Sequence, residues 1–306
     1  MALLKPSVEI TLPPTVFMQG QGTDAGGREE LVDGVGGVCF VPSVMERWRE
    51  LQEFQARPDD TLIATFPKAG ECPLSTLSDH SGSIPSMMRA PFLELNPPPP
   101  FPSGIDILQN QPSPRLIKTH LPFHLLPPSF VDQNCKMVYV ARNAKDTAVS
   151  YFHFHRMNKK LPEPGDWNHT PCVTLLPVAW GSWFDHVTGW WKEKNNHRIL
   201  YLFFEDIKEN PAREIAKLSN FLSKKLDREA VDRIIEHTSF KNMKQNPMTN
   251  FSLLPANIFD QSVSPFMRKG EVGDWKNMFT VAQNERFEKE YRQLMSDRGP
   301  SFRMEL

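Results

Sequence analysis

Three short runs decide what this chain can fold into: residues 61–66 (TLIATF), 136–141 (KMVYVA) and 199–204 (ILYLFF). Each is almost wholly apolar and rich in β-branched or aromatic residues, which suits a strand covered on both faces. Helical periods fill the stretches between them. Residues 44–54 place Val44, Trp48, Leu51 and Phe54 on one helical face, and 146–157 carry Val149, Phe152 and His153 on another, with Asp146 as cap or first-turn acid. Residues 180–191 are helical and aromatic-rich, residues 211–225 bring Ile215, Leu218, Phe221 and Leu222 onto one face behind Pro211, and Asp227 suits the N-cap of a helix over 227–237. Strands alternating with helices predict an α/β fold: a single domain with a central, mostly parallel sheet flanked by helices. No internal repeat or linker divides residues 39–306. Residues 1–38 hold no period and are rich in glycine, which predicts a flexible N-terminal arm.

The first run ends informatively. Pro67 cannot continue a central ladder, and Lys68-Ala69-Gly70 follow where an α/β protein places a phosphate-binding turn. Such a fold wants a helix next, yet residues 71–110 are punctuated so densely by Ser, Gly and Pro that no long helix fits. The loss of that helix should uncover one face of the sheet. A further short strand over 115–120 ends in Lys118-Thr119-His120 and stops before Pro122. Taken alone, Lys68 reads as a solvated turn lysine and His120 as a satisfied structural histidine. Strand C-terminal ends converge on the ligand crevice of an open α/β sheet, so the two are expected to face one cavity. Arg142 leaves another buried strand, and the helix that follows it offers backbone N–H groups and Ser150. Phe266-Met267-Arg268-Lys269-Gly270, followed by Gly273-Asp274-Trp275, sets two cations beside a glycine, which suits a phosphate clamp. Together these pieces describe a site for a small anion with at least two phosphate-like groups. The GxxxxGK[ST] loop and its acidic metal ligand are absent, which argues against a kinase or other nucleoside-triphosphate enzyme.

Composition narrows the class of partner. A net charge of −1 gives no global field toward nucleic acid or membrane, and 21 Phe and 7 Trp leave material for an apolar cavity as well as a core. Four scattered cysteines (Cys39, Cys72, Cys135, Cys172) form no CxxC pair or metal-ligand spacing, so reduced thiols in a cytoplasmic protein are expected. No apolar run reaches the length of a membrane span, and the N-terminus has no signal-peptide core. The two glycosylation sequons, at Asn168 and Asn250, then read as chance.

The wording RLIKTHLPFHLLPPSF, VYVARNAKDTAVSYFHFHRM, TSFKNMKQNPMTN and PFMRKGEVGDWKNMFTVAQNERF resembles the cytosolic sulfotransferases of the phenol and small-hydroxyl branch. The similarity covers about residues 47–70 and 112–306 apart from a patch near 167–178. It implies a P-loop-like sulfotransferase fold and transfer of a sulfuryl group from 3′-phosphoadenosine 5′-phosphosulfate (PAPS) to the hydroxyl or amine of a small, phenolic acceptor, with no metal. Residue by residue, it implies His120 as base, Lys68 on the bridging and leaving oxygens, and Lys118 on the transferring group, in an in-line, loose transition state. It implies the 5′-phosphosulfate loop at Lys68, Ala69 and Gly70, and the 3′-phosphate site at Arg142, Ser150, Phe266, Met267, Arg268, Lys269 and Gly270. Thr238, Ser239 and Phe240 match the nucleoside pocket, and Phe92 and Phe154 match walls of the acceptor pocket. Lys276, Thr280, Val281 and Glu285 fit the family's KxxxTVxxxE patch, whose small size implies a weak homodimer.

Two stretches depart from that pattern, 71–111 and 167–178. The family's loop continues Gly-Thr-Thr-Trp into a long helix, whereas Gly70 is followed here by Glu71-Cys72-Pro73. Two hydroxyl donors become a carboxylate and a thiol, and the stacking tryptophan becomes a proline. A carboxylate about 4 Å from the donor's anion would cost about 4 kcal/mol at an effective dielectric near 20. Phe204 stands where the family has tyrosine, a loss on the order of 1 kcal/mol. The alternative reading is therefore a catalytically impaired, sulfotransferase-like nucleotide-binding protein. A third is that 71–88 and 168–178 are translated from wrongly joined coding segments, since periodicity breaks there between intact flanks.

Overall fold

In the computed structural model, residues 28, 30–70, 84–167, 179–295 and 299–306 are described. Six strands are present among them. β1 (Val32–Asp33) and β2 (Cys39–Phe40) form an antiparallel ribbon, while β3 (Thr61–Thr65), β4 (Leu116–Thr119), β5 (Lys136–Ala141) and β6 (Ile199–Phe203) form the main sheet. The main sheet is wholly parallel, in the order β4-β3-β5-β6. The period of two decides which residues share a face. Leu62, Ala64, Ile117, Met137, Tyr139 and Ala141 point into the larger core cluster, and Ile63, Val138, Val140 and Leu202 into a smaller one. All ten are buried, so the expected uncovered face is not found. Leu218, with Ile207, Phe221 and Leu222, packs on the second face.

Twelve α-helices are assigned among the described residues. α1 (Pro42–Glu46) and α2 (Trp48–Gln52) precede β3, and α3 (Ser86–Arg89) and α4 (Gly104–Asn110) precede β4. α5 (Ser129–Asp132), α6 (Ala144–Met157) and α7 (Trp183–Glu193) lie between β4 and β6 in sequence. α8 (Phe204–Glu209), α9 (Pro211–Phe221), α10 (Arg228–His237), α11 (Phe240–Gln245) and α12 (Val281–Met295) follow β6. The helix predicted over 44–54 is two helices, interrupted at Arg47 (φ −113°), whose guanidinium is tied at 2.9 and 3.0 Å to Asp106 of α4. Asp227 caps α10 as expected, accepting from the Ala230 N–H at 2.7 Å. Asn143 rather than Asp146 caps α6, its side chain accepting from the Asp146 N–H at 2.9 Å.

The segment expected to be a flexible arm is described at Arg28 and from residue 30 onward, and that part packs against the body. Arg28 is buried, and its guanidinium donates to the carbonyls of His155, Asn158 and Leu161 at 2.7, 2.9 and 3.0 Å, at the C-terminal end of α6. Such carbonyls have no helical partner of their own, so a buried cation serves them well. Val38 sits in the core, and the expected boundary at 38/39 falls between the paired strands β1 and β2. In the irregular stretch before β4 the structure supplies order of a short-range kind. Ser103 and Asp106 form a capping box for α4, and residues 91–93 zip onto the outer edge of β4 through Lys118 N–H to Pro91 O (3.0 Å) and Leu93 N–H to Lys118 O (2.8 Å).

Candidate active site

β3 and β4 run in parallel register, Ala64 opposite Thr119, so their C-terminal ends deliver the 66–70 turn and His120 to the same edge of the sheet. The turn bends through two left-handed residues, Lys68 (φ 67°) and Gly70 (φ 93°). Such a conformation is uncommon for a residue with a side chain, and turns of this kind gather N–H groups toward an anion. At Gly70 a Cβ would come within 2.4 Å of the Phe204 ring, so the position demands glycine twice over, for its φ and for the close approach. Ala69 is buried beneath the turn. The Lys68 ammonium lies 3.8 Å from the centroid of Phe266, 4.7 Å from that of Phe154, and 3.4 Å from the Phe266 carbonyl. Glu71-Cys72-Pro73 lie outside the described residues, as do residues 168–178.

His120 is buried, and three elements fix it. Its Nδ1 lies 2.8 Å from the carbonyl oxygen of Thr65 and 3.0 Å from that residue's hydroxyl. A carbonyl can only accept, so Nδ1 carries the proton and Nε2 the lone pair. The ring stands edge-on to Phe92 and Trp180, with centroids at 4.5 and 5.5 Å. His186 Nε2 donates to the His120 carbonyl (2.9 Å) while its Nδ1 accepts from the Tyr139 hydroxyl (2.7 Å). Burial pushes the His186 imidazole down to about 4, which keeps it neutral and suits that pair of bonds. Lys118, two residues before His120 and so on the same side of β4, has its ammonium 4.4 Å from the Phe92 ring centroid.

The remaining expected residues gather around α6 and the 266–274 loop. Arg142 is buried, with its guanidinium 4.5 Å over the Phe204 ring, 2.8 Å from the Glu271 carbonyl and 3.4 Å from that of Lys68. It therefore ties the lysine turn to the loop. Burial pushes its pKa down from the usual arginine value. The Nε groups of Arg142 and Arg268 are buried without a hydrogen-bond partner, a cost of about 1–3 kcal/mol each unless something else accepts from them. A cleft beside them is lined by Lys68, Ser150, Phe154, Phe266 and Arg268 among others. Phe251 and Phe259 pack behind Phe266, with centroids at 4.3 and 5.9 Å. Gly270 (φ 66°) leaves room for Phe240, whose ring a Cβ there would approach to 2.2 Å, and Met267 is buried below the loop. Ser239 caps α11, accepting from the Asn242 N–H at 3.3 Å, and the Thr238 hydroxyl donates to the Ile234 carbonyl at 2.7 Å.

Sequence reasoning misses the acids that hold these cations and turns. Arg268 and Lys269 both pair with the buried carboxylate of Asp274, so the two cations are tied to an acid five and six residues on. Burial alone would raise that carboxyl, but bonds from Lys269, Asn277 and Arg268 outweigh it and hold it at about 2. Asp146 does more than begin α6: it accepts from the Gly273 N–H (2.8 Å) and the Trp275 N–H (3.0 Å) and so fixes the loop to the helix. Glu205 accepts from the Asn143 N–H at 2.8 Å, and burial raises its carboxyl. Glu94, in the stretch that reads as irregular, accepts from the His120 N–H. The alternation of Phe92 and Glu94 within Pro-Phe-Leu-Glu-Leu is the signal that could have found it.

Farther away, Lys276 pairs with Glu305 at 2.7 Å, Thr280 accepts from the Gln283 N–H at 3.2 Å, Val281 is 75% exposed and Glu285 is exposed. Among the described residues no group of three or more His, Cys, Asp or Glu could hold a metal ion. None of their helices is long and apolar enough to cross a membrane.

A parallel α/β sheet with a cation-lined cleft and a tautomer-fixed histidine at its strand ends is the class that these observations define. Comparison with known proteins makes it particular. The sulfotransferase domain model matches residues 58–299. Sulfotransferase 1C2 of Homo sapiens is 49% identical over 290 residues, 92% of this chain and 98% of its own length. Sulfotransferase 1A1 of Rattus norvegicus is 49% identical over 282 residues, 89% and 97% of the two chains. Among solved structures, mouse sulfotransferase SULT7A1 complexed with PAP superposes with a TM-score of 0.73 at 32% identity, covering 87% of this chain and 95% of that one. The chain belongs to the sulfotransferase family, and so to the enzymes that transfer sulfuryl groups.

Proposed function

We propose that this protein transfers the sulfuryl group of PAPS to the hydroxyl or amine of a small, phenolic acceptor, with His120 as the base. The observation that carries the reading is the Nδ1 bond of His120 to the carbonyl of Thr65, three residues before Lys68, which leaves Nε2 as the proton-accepting nitrogen. In the reaction the acceptor's O–H proton passes to Nε2 as its oxygen bonds to sulfur. The bond from sulfur to the phosphate oxygen breaks, and adenosine 3′,5′-bisphosphate leaves. Lys68 and Lys118 supply fixed positive charge to the leaving oxygen and the transferring group, the main contribution a protein can make to so loose a transition state. Arg142, Ser150, Arg268, Lys269 and Gly270 hold the 3′-phosphate, which would give the two orphaned arginine Nε groups their acceptor. Phe240, with Thr238 and Ser239, receives the nucleoside, and Phe92 and Phe154 wall the acceptor pocket. PAP in the related SULT7A1 structure supports this choice of donor. Residues 39–306 form the transferase domain, in a cytoplasmic protein that pairs weakly through Lys276, Thr280, Val281 and Glu285.

The test is turnover of labelled PAPS with a generic phenol, compared between the native chain and His120→Ala. Turnover that survives in His120→Ala would remove the base from this reading. A second reading, binding of adenosine 3′,5′-bisphosphate without turnover, is favoured by Glu71-Cys72-Pro73, where the family has two hydroxyl donors and a tryptophan. Restoring Thr-Thr-Trp at 71–73 separates the two. Activity that appears only in the restored chain supports impairment by the loop.

A further inference from the structure

We infer that Glu94 is a positioning residue for His120, holding the backbone from which the imidazole reaches the acceptor and setting the electrostatic environment in which it takes up a proton. The inference rests on the reading of His120 as base. β4 ends at Thr119, whose partner across the ladder is Ala64, so the His120 N–H has no strand to donate to. Glu94 supplies the acceptor: its Oε1 takes the His120 N–H at 2.6 Å and its Oε2 takes the Thr119 hydroxyl at 2.9 Å. The Thr119 oxygen in turn accepts from the Leu121 N–H at 3.0 Å. One carboxylate thus fixes three consecutive residues about the base.

The carboxylate is itself held in place. Residues 91–93 are zipped to the edge of β4, and the N–H of Gly104 at the start of α4 donates to the Leu95 carbonyl at 2.8 Å. A Cβ at Gly104 would fall 1.6 Å from the Phe92 carbonyl oxygen, so α4 packs directly on this segment. Glu94 is buried, and desolvation raises its carboxyl to about 7 against the bonds from His120 and Thr119. Among the described residues, the titratable groups linked to this segment by the contacts above include Lys118 and His120 on the β4 side, Tyr139 on β5 and His186 on α7, and of these four Lys118 brings a fixed charge. A negative charge this close favours imidazolium, so Glu94 and His120 should titrate as a coupled pair.

The experiment reads the His120 imidazole directly, by NMR titration of the full chain with ring-labelled histidine, so that it does not depend on turnover. Glu94→Gln keeps the shape and removes the charge, whereas Thr119→Val keeps the charge and removes the Oε2 bond together with the acceptor of the Leu121 N–H. In Glu94→Gln the His120 midpoint should fall by about one pH unit and the two-step titration collapse to one. Thr119→Val should move it by less. Affinity for adenosine 3′,5′-bisphosphate should stay within about twofold in both, which also shows that the variants are folded. Where the native chain turns over, kcat should fall roughly tenfold or more in Glu94→Gln with KM for PAPS little changed. A His120 midpoint unmoved in a folded Glu94→Gln chain overturns the inference, as does a midpoint that rises. Full turnover in His120→Ala would sink the base reading while leaving the titration to judge Glu94 separately.

Discussion

The two halves of the candidate site, the end of β4 and the 266–274 loop, are held by opposite means. At the β4 end, His120 is fixed by directional hydrogen bonds from three elements: the Thr65 carbonyl, Glu94, and His186 on the main-chain carbonyl. At the other end, cations rest on partners that a polyanion can displace. Lys68 lies against two aromatic rings, Arg268 and Lys269 share one carboxylate, and two arginine Nε groups have no hydrogen-bond partner. The first arrangement fixes one tautomer and one ring position, which is what a proton acceptor needs. The second stores positive charge in provisional contacts, which suits a ligand that arrives and leaves. Under the proposed function, chemistry belongs to the first arrangement and affinity to the second, and substitutions can test whether they separate.

His120→Ala should break the comparison most severely if it is right. Turnover is expected to fall by about 10²–10⁴-fold, the usual worth of a positioned base, while affinity for adenosine 3′,5′-bisphosphate measured by calorimetry stays unchanged. A matching loss in both quantities would show that the histidine supports the fold rather than the reaction. Arg268→Ala is the reciprocal case. Losing a charge-assisted contact to phosphate should weaken adenosine 3′,5′-bisphosphate by about 10–100-fold. Binding of adenosine 5′-monophosphate, which lacks the 3′-phosphate, should move little. Equal losses for the two nucleotides would take the 3′-phosphate away from this loop.

Much of this division is legible in the amino-acid sequence itself. The buried strands, their parallel arrangement and the delivery of the Lys68 turn and His120 to one edge of the sheet follow from apolar runs that stop at Pro67 and Pro122, because the period of a strand and the refusal of proline to continue one are local properties. The carboxylates are not legible in the same way. Glu94, Asp146, Glu205 and Asp274 act across 26, 127, 62 and five or six residues. For the first three the partner lies too far along the chain to mark local periodicity, and for Asp274 the pairing depends on the turn at Gly270 and Gly273 rather than on a helical or strand period. Phe204 shows the same limit: in sequence it is a lost hydroxyl, whereas in space its ring fills the room that Gly70 leaves and lies under Arg142. Within the described residues 84–110, proline and glycine mask two short helices and an edge segment that pairs through main-chain atoms.

The cation end has a pH signature of its own, in the acid range. The Asp274 carboxyl is held at about 2 in the folded chain, against 3.8 ordinarily. A depressed carboxyl stabilises the fold at pH above its unfolded value, and that contribution disappears as pH falls from about 4 through about 2. The amount at stake is about 2 kcal/mol. Chemical unfolding followed between pH 5 and 2 should therefore lose that much more in the native chain than in Asp274→Asn, whose stability is lower at pH 5 and flatter below it. Parallel acid limbs would mean that Asp274 is not the countercharge that organises Arg268 and Lys269.

The smallest expected effect is the most discriminating, because it asks whether the cation end is built for an occupant. Phe204 is buried between Gly70 and the Arg142 guanidinium. Phe204→Tyr restores the hydroxyl that the family resemblance implies. Without nucleotide that hydroxyl enters a buried site and should lower stability by about 1 kcal/mol unless it reaches a partner. If the proposed nucleotide lies against this ring and offers the hydroxyl a partner, then with adenosine 3′,5′-bisphosphate bound the loss should shrink or reverse and affinity should rise by about fivefold. Thermal shifts with and without the nucleotide measure both halves. An equal penalty in the two states would mean that the ring faces only protein, and that the provisional contacts around Lys68 and Arg142 are permanent ones.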